Sequence, residues 1–200
     1  MSRKQSLIAL VGALCVISIP AFSQEEGSLR NEVAVQAFGS FLKSTTSNGV
    51  EQSATNSGGV LGSYRFFFNQ YNGVEVDYGY SLNTQRYGFS AGSVGVNSYS
   101  HELSASYVLR RSFKRWTPFA LAGAGSLLFD PKDVADVSTQ ARAAFVYGGG
   151  SDFSLSRRMY IRAEYRGLVY SSPTYDIQTL AGTGRVTHRA EPSIGFGYRF

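Results

Sequence analysis

The chain has 200 residues, 19 of them basic and 14 acidic, for a formal charge of +5 and a mean hydropathy of −0.13. That charge is too mild to argue for nucleic acid as a partner, and a lone cysteine, Cys15, excludes a disulfide framework or a thiolate metal site. Twenty-two Gly, 14 Phe and 13 Tyr against 5 Pro favour strands and tight turns over helices, and a transmembrane barrel gives the same near-zero hydropathy because each strand alternates. Met1 to Ser23 reads as a secretory leader: Arg3 and Lys4, an apolar stretch from Leu7 to Ile19, then Ala21-Phe22-Ser23 with small residues at the cleavage positions. The apolar stretch is too short to span a bilayer as a helix. Leu14 is bulky where a lipid-attachment motif needs a small residue, so lipidation of Cys15 is rejected. Residues 24–200 form one domain, with 17 basic and 14 acidic residues and a net charge of +3.

The first strand runs from Asn31 to Phe41, with Val33, Val35, Ala37 and Phe41 on one face and Glu32 and Gln36 on the other. Lys43 to Ser57 is a polar stretch read as a long loop. The second strand, Gly58 to Phe68, sets Val60, Tyr64, Phe66 and Phe68 against Ser63 and Arg65. Asn69 to Gly73 reads as a short turn marked by Asn72-Gly73. In the third strand Val74, Val76, Tyr78 and Tyr80 alternate with Glu75, Asp77, Gly79 and Ser81. Leu82 to Asn97 is a second long loop. The fourth strand, Tyr99 to Arg110, places Leu103, Ala105, Tyr107 and Leu109 opposite Glu102, Ser104, Ser106 and Arg110. After the basic turn Arg111–Arg115, the fifth strand (Trp116 to Phe129) opposes Phe119, Leu121, Leu127 and Phe129 to small residues. Asp130 to Gln140 is a third loop. The sixth strand, Ala141 to Leu155, separates Ala143, Phe145 and Tyr147 from Arg142 and Asp152, and Gly148-Gly-Gly150 invites a bulge. Past the turn Ser156–Arg158, the seventh (Met159 to Tyr170) opposes Ile161, Ala163 and Tyr165 to Arg162, Glu164 and Arg166. Ser171 to His188 is a fourth long loop, and an eighth strand ends the chain.

Long and short connections alternate around these eight strands, as expected of an up-and-down antiparallel transmembrane β-barrel with long outside loops and short periplasmic turns. The charges decide which face is inside. Glu32, Glu75, Asp77, Glu102, Asp152, Glu164 and Glu191 share the polar face with Arg65, Arg110, Arg142, Arg162, Arg166 and Arg199. With lipid outside, the aliphatic and aromatic residues face out, and the charges meet in a lumen that eight strands leave just wide enough for side chains. Buried charges must be paired, so a closed network is expected in place of a water-filled pore.

The last ten residues, Glu191-Pro-Ser-Ile-Gly-Phe-Gly-Tyr-Arg-Phe200, put Ile194, Phe196, Tyr198 and Phe200 on alternate positions. This ending resembles the final strand of bacterial outer-membrane β-barrels, and the whole of residues 24–200 is similar in pattern to the OmpA-like eight-stranded barrel family. The resemblance implies export with leader cleavage, a place in the bacterial outer membrane, and a C-terminal signal at those four residues read by the barrel-assembly machinery. The partners it implies are that machinery, periplasmic chaperones, outer-membrane lipids and lipopolysaccharide. It implies no cofactor. The chain ends at Phe200, so no wall-binding domain is expected.

Candidate chemistry is sparse. His101-Glu102 with Ser98, Ser100 and Ser104 contains the residue types of a lipid-hydrolase triad, but neighbours on a strand point to opposite faces, and a rim histidine beside an interior carboxylate is the preferred reading. His188 with Arg185 and Arg189 reads as a solvated basic loop. Asp130, Asp133 and Asp136 lack the ligand spacing of a calcium loop. Gly123-Ala-Gly125 and Gly182-Thr-Gly184 match no nucleotide fingerprint. The expectation is a non-enzymatic envelope-structural or surface-interaction protein acting through its four long loops on an extracellular ligand. A deacylase-like lipid-modifying enzyme and a narrow small-solute channel are the alternatives.

Overall fold

A computed structural model describes residues 29–42, 45–47, 50–54, 57–89, 92–131, 140–171 and 186–200. The leader, Cys15 and the Gly182–Gly184 stretch lie outside them. The strands are β1 (Asn31–Leu42), β2 (Thr45–Ser47), β3 (Val50–Ala54), β4 (Ser57–Phe67), β5 (Asn72–Phe89), β6 (Gly92–Arg110), β7 (Trp116–Pro131), β8 (Gln140–Ser154), β9 (Met159–Ser171) and β10 (Val186–Arg199). They make one antiparallel sheet in the order β2-β3-β5-β4-β1-β10-β9-β8-β7-β6, and β5 also pairs with β6. That last pairing closes the sheet. Eight strands are the staves of the barrel, while β2 and β3 form a short hairpin whose Glu51–Ala54 edge pairs with Gln85–Gly88 of β5. Lipid supplies no hydrogen bonds to an amide, so a spanning sheet must close on itself, and here it does.

Alternation sets the two faces. On β1, Glu32, Ala34, Gln36, Phe38 and Ser40 are buried, while Val33, Val35, Ala37 and Phe41 are exposed on the outer wall. Tyr78, Tyr80, Tyr107, Trp116, Tyr147, Tyr165 and Tyr198 all stand on that wall. Several find a local partner for the phenol: Tyr64 donates to Asn31 Oδ1 at 2.7 Å and Tyr107 to Asn72 Oδ1 at 2.8 Å, both beside the short turns. An aromatic ring with a satisfied hydroxyl suits the headgroup boundary.

Several segments differ from the sequence reading. The stretch 43–57 contains β2 and β3, and 82–97 is mostly strand, because β5 and β6 keep pairing from Ser81↔Ser100 to Phe89↔Gly92. These stretches carry no clear apolar alternation in the sequence, and backbone ladder hydrogen bonds form without it. Asn72 and Gly73 open β5; the turn before them is held by Asn69, whose Oδ1 accepts from the Tyr71 and Asn72 amides at 2.9 Å each. Gly148-Gly-Gly150 contains no bulge, since the register runs unbroken from Trp116↔Phe153 to Phe129↔Gln140. His188 and Arg189 belong to β10 and not to a loop.

The largest correction concerns β7. Phe119, Leu121 and Leu127 are buried inside the barrel, and Ala120, Ala122, Ala124 and Leu128 form the outer wall. They join Phe67, Val108, Ala144, Val146, Leu168 and Tyr170 in an interior apolar cluster. Only part of the lumen is therefore charged. β7 brings no charge to its membrane-crossing stretch between Trp116 and Phe129, so its bulky side chains fill the space the charged strands leave, and small residues suffice toward lipid, which packs against any apolar surface. Close packing also needs room: the Tyr160 ring lies where a Cβ on Gly197 would sit.

Candidate functional site

Interior charges form two groups among the described residues. Nearer the short turns, Arg65, Arg110, Arg162 and Arg199 meet Glu32, Glu75, Asp152 and Glu164. Arg162 binds Asp152 through Nε–Oδ1 at 2.7 Å and Nη2–Oδ2 at 3.0 Å, and its Nη1 reaches Glu75 at 3.3 Å. Glu32 takes Arg110 at 2.5 Å and Arg199 at 2.9 Å. Arg65 pairs with Glu75 and approaches Asp152 and Glu164, each at 3.8 Å. Nearer the long connections, Arg166 pairs with Glu102, lies 3.8 Å from Asp77 and 3.9 Å from Glu191, and Arg189 binds Glu191 at 2.6 Å. Neutral groups fill in: Ser104 donates to Asp77 Oδ2, and Gln36 donates to Glu164 Oε2 while accepting from Ser193.

Twelve of the thirteen predicted interior residues enter these groups. The thirteenth, Arg142, sits at the outer end of β8, where its Nη2 donates to Gln140 Oε1 at 3.0 Å. Arg189 was read as loop and is instead buried, with Nη1 on Ser100 Oγ and Nη2 on Ser81 Oγ at 3.2 Å each. The signal was present in the two-residue period: Arg199, Glu191 and Arg189 share one parity.

Four contacts among the described residues cross the full width of the barrel, one of them Arg65 on β4 to Asp152 on its opposite stave β8 at 3.8 Å. β5 and β9 are opposite staves, and so are β6 and β10. Arg162 on β9 touches Glu75 on β5, Arg166 on β9 approaches Asp77 on β5, and Arg189 on β10 reaches Ser100 on β6. Aromatic rings pack between the guanidiniums. Phe119 lies 4.0 Å from Arg65 and 5.2 Å from Arg162, Phe67 lies 3.3 Å from Arg110, and Tyr160 lies 4.4 Å from Arg199. These stacks set the faces of planar cations against aromatic rings.

Both histidines stand on the outer wall. Tyr78 Oη meets His101 Nδ1 at 2.8 Å, and Tyr147 Oη meets His188 Nε2 at 2.8 Å. Ser100, Glu102 and Ser104 are buried in the lumen, so the wall of the barrel separates them from His101 and no triad assembles from these four. The Ser98 side chain and residues 132–139, with Asp133 and Asp136, lie outside the described set. Among the described residues no group of three His, Cys, Asp or Glu is placed to hold a metal ion.

At the C-terminus Ile194, Phe196 and Tyr198 line the outer wall of β10, and Tyr198 stacks on Phe200 with ring centroids 6.4 Å apart. Phe200 still pairs through its backbone, donating to Asn31 O at 2.9 Å and accepting from Asn31 N at 3.2 Å. The family model for the outer membrane protein beta-barrel domain matches residues 9–200. The chain belongs to that family. It is an outer-membrane β-barrel protein. Among solved structures, OprG of Pseudomonas aeruginosa superposes with a TM-score of 0.61 at 12% identity, covering 86% of this chain and 96% of that one. Neisserial surface protein A gives 0.62 at 16% identity, covering 88% and 100%. Ail, the attachment invasion locus protein of Yersinia pestis, solved with the heparin analogue sucrose octasulfate, gives 0.50 at 19% identity over 86% and 99%. At such identities the likeness is one of fold. No curated protein sequence matches the chain.

Proposed function

We propose that this outer-membrane barrel is a non-enzymatic envelope protein that acts through its four long connections on a partner outside the cell. The observation that carries this reading is the crossed lumen: Arg162–Glu75, Arg166–Asp77 and Arg189–Ser100 occupy the axis at successive levels, so the barrel body serves as a rigid mount. Rigid scaffolds that display variable loops are a common way to build binding surfaces. The reading includes export with leader cleavage after Ser23, periplasmic chaperones, and delivery to the assembly machinery through Ile194, Phe196, Tyr198 and Phe200. It also includes short turns facing the periplasm and a belt in contact with lipid and lipopolysaccharide.

Charge narrows the partner. The long connections hold Lys43, Arg86, Lys132 and Arg185 against Glu51, Asp130, Asp133, Asp136 and Asp176. That near-balance does not favour a polyanion of the kind bound in the Ail structure. The test is a set of loop exchanges on the folded barrel: replacing 43–57 or 171–188 abolishes surface binding while conductance across a planar bilayer stays absent. Steady channel conductance would instead favour the solute-channel reading.

A further inference from the structure

The mature net charge is not spread over the molecule. The lumen faces hold seven acidic residues and seven arginines once Arg142 and Arg189 are counted, so they balance. The long connections carry four basic and five acidic residues. What remains is the short-turn end, where Arg30, Arg111, Lys114, Arg115, Arg157 and Arg158 are all exposed and no described acidic side chain accompanies them. Glu25 and Glu26 precede this end in the chain, and the excess stays positive after they are subtracted.

The same end is greasy. Phe68, Tyr71, Phe113, Trp116, Leu155 and Met159 lie in or beside the three short turns, each about half exposed, with Trp116 at 59% and Tyr71 at 49%. A turn surrounded by water has no reason to present such side chains. Basic and aromatic groups interleave directly: Arg111 lies 5.4 Å from the Phe113 ring, and Arg158 donates to Tyr198 Oη at 3.0 Å. Lys114 adopts φ of 50°, a left-handed conformation that glycine or asparagine holds at less cost, yet the tip keeps a lysine. Cations above a ring of aromatic and aliphatic anchors are the pattern of a surface sitting in lipid headgroups.

We propose that the three short turns form a collar that binds anionic phospholipid headgroups, phosphatidylglycerol or cardiolipin, in the leaflet beside them. With the orientation given under Proposed function this is the inner leaflet of the outer membrane. The collar lies at the opposite end from the long connections, so it stands or falls independently of their ligand. Each cation that reaches an anionic surface favours it by about fivefold.

The experiment measures the first lipid shell of the full barrel folded into phosphatidylcholine vesicles, by electron spin resonance of spin-labelled phosphatidylglycerol against spin-labelled phosphatidylcholine. The expected preference for phosphatidylglycerol is about fivefold or more, falling with salt. It falls to near parity in R111Q/K114Q/R115Q/R157Q/R158Q and survives in K43Q/R86Q/K132Q/R185Q, which removes the cations of the long connections. Should the fivefold variant not fold, R111Q/K114Q/R115Q and R157Q/R158Q must each lower the preference separately. No preference in the parent barrel, equal loss in the loop variant, or retention on purified peptidoglycan through these residues without lipid selectivity would each overturn the proposal.

Discussion

Arg162 and Asp152 face each other across neighbouring strands of the barrel and share a two-pronged bond, Nε to Oδ1 at 2.7 Å and Nη2 to Oδ2 at 3.0 Å. The pair is fully enclosed, and the same guanidinium also touches Glu75, Glu32, Ser63 and Tyr160. One arginine thus ties β9 to four other staves.

Arg162→Met leaves Asp152, Glu32 and Glu75 short of a cation inside a closed space. The expected loss is about 3–5 kcal/mol, since an uncompensated buried charge costs more than the pair contributed. Urea unfolding of the barrel in vesicles reads it. Arg162→Met with Asp152→Leu recovers part of the loss, and a double variant no better than the single one contradicts the direct coupling.

The two leucines Leu127 and Leu128 test the facing of β7. Leu127 is fully buried inside and Leu128 is 41% exposed toward lipid. Leu127→Ala is expected to cost about 2–5 kcal/mol by opening a cavity. Leu128→Ala leaves only a groove that lipid fills, and costs much less. Equal effects, or the reverse order, would mean that β7 faces the other way.

Val76 lies on the outer wall of β5 between Val74 and Tyr78, paired with Ala105 of β6. Val76→Arg places a charge on the lipid-facing wall and is expected to destabilise by up to about 2–4 kcal/mol. In detergent with a thin belt the penalty shrinks. Comparing unfolding midpoints in the two media isolates the lipid contribution.

His101→Ala removes a hydrogen bond to Tyr78 and nothing from the interior. The expected mass profile of outer-membrane lipids is identical in strains carrying the parent or the variant. An acyl or headgroup change that depends on His101 would make this protein a lipid-modifying enzyme and displace the binding reading.

Removing Phe200 deletes a ring stacked on Tyr198 and the last backbone pair with Asn31. Refolding of the purified chain into detergent is expected to proceed almost as before, whereas the amount of heat-modifiable folded barrel in cells drops. Loss of folding in both settings would assign Phe200 a purely structural role.

The sequence by itself determined the eight staves, their inward and outward sides on seven of them, and the lumen as the side that takes the charges of the crossing stretches. It did so because a strand period of two puts a charge and a valine on opposite walls whatever the neighbours are. The full length of β5 and β6 was not legible, since residues 82–97 carry no clear alternation to read and backbone pairing does not require one. β7 was misread because neither of its faces bears a charge in the crossing, and which of Phe119 and Ala120 points inward depends on the space left by the strands opposite. Arg189 was read with Arg185 and His188 as a solvated basic loop, and its seat on Ser81 and Ser100 exists only once β10 and β6 stand across one lumen. Pairing partners are a property of closure: Arg65 and Asp152 lie 87 residues apart in the chain, and only the curvature of the sheet brings their side chains to 3.8 Å.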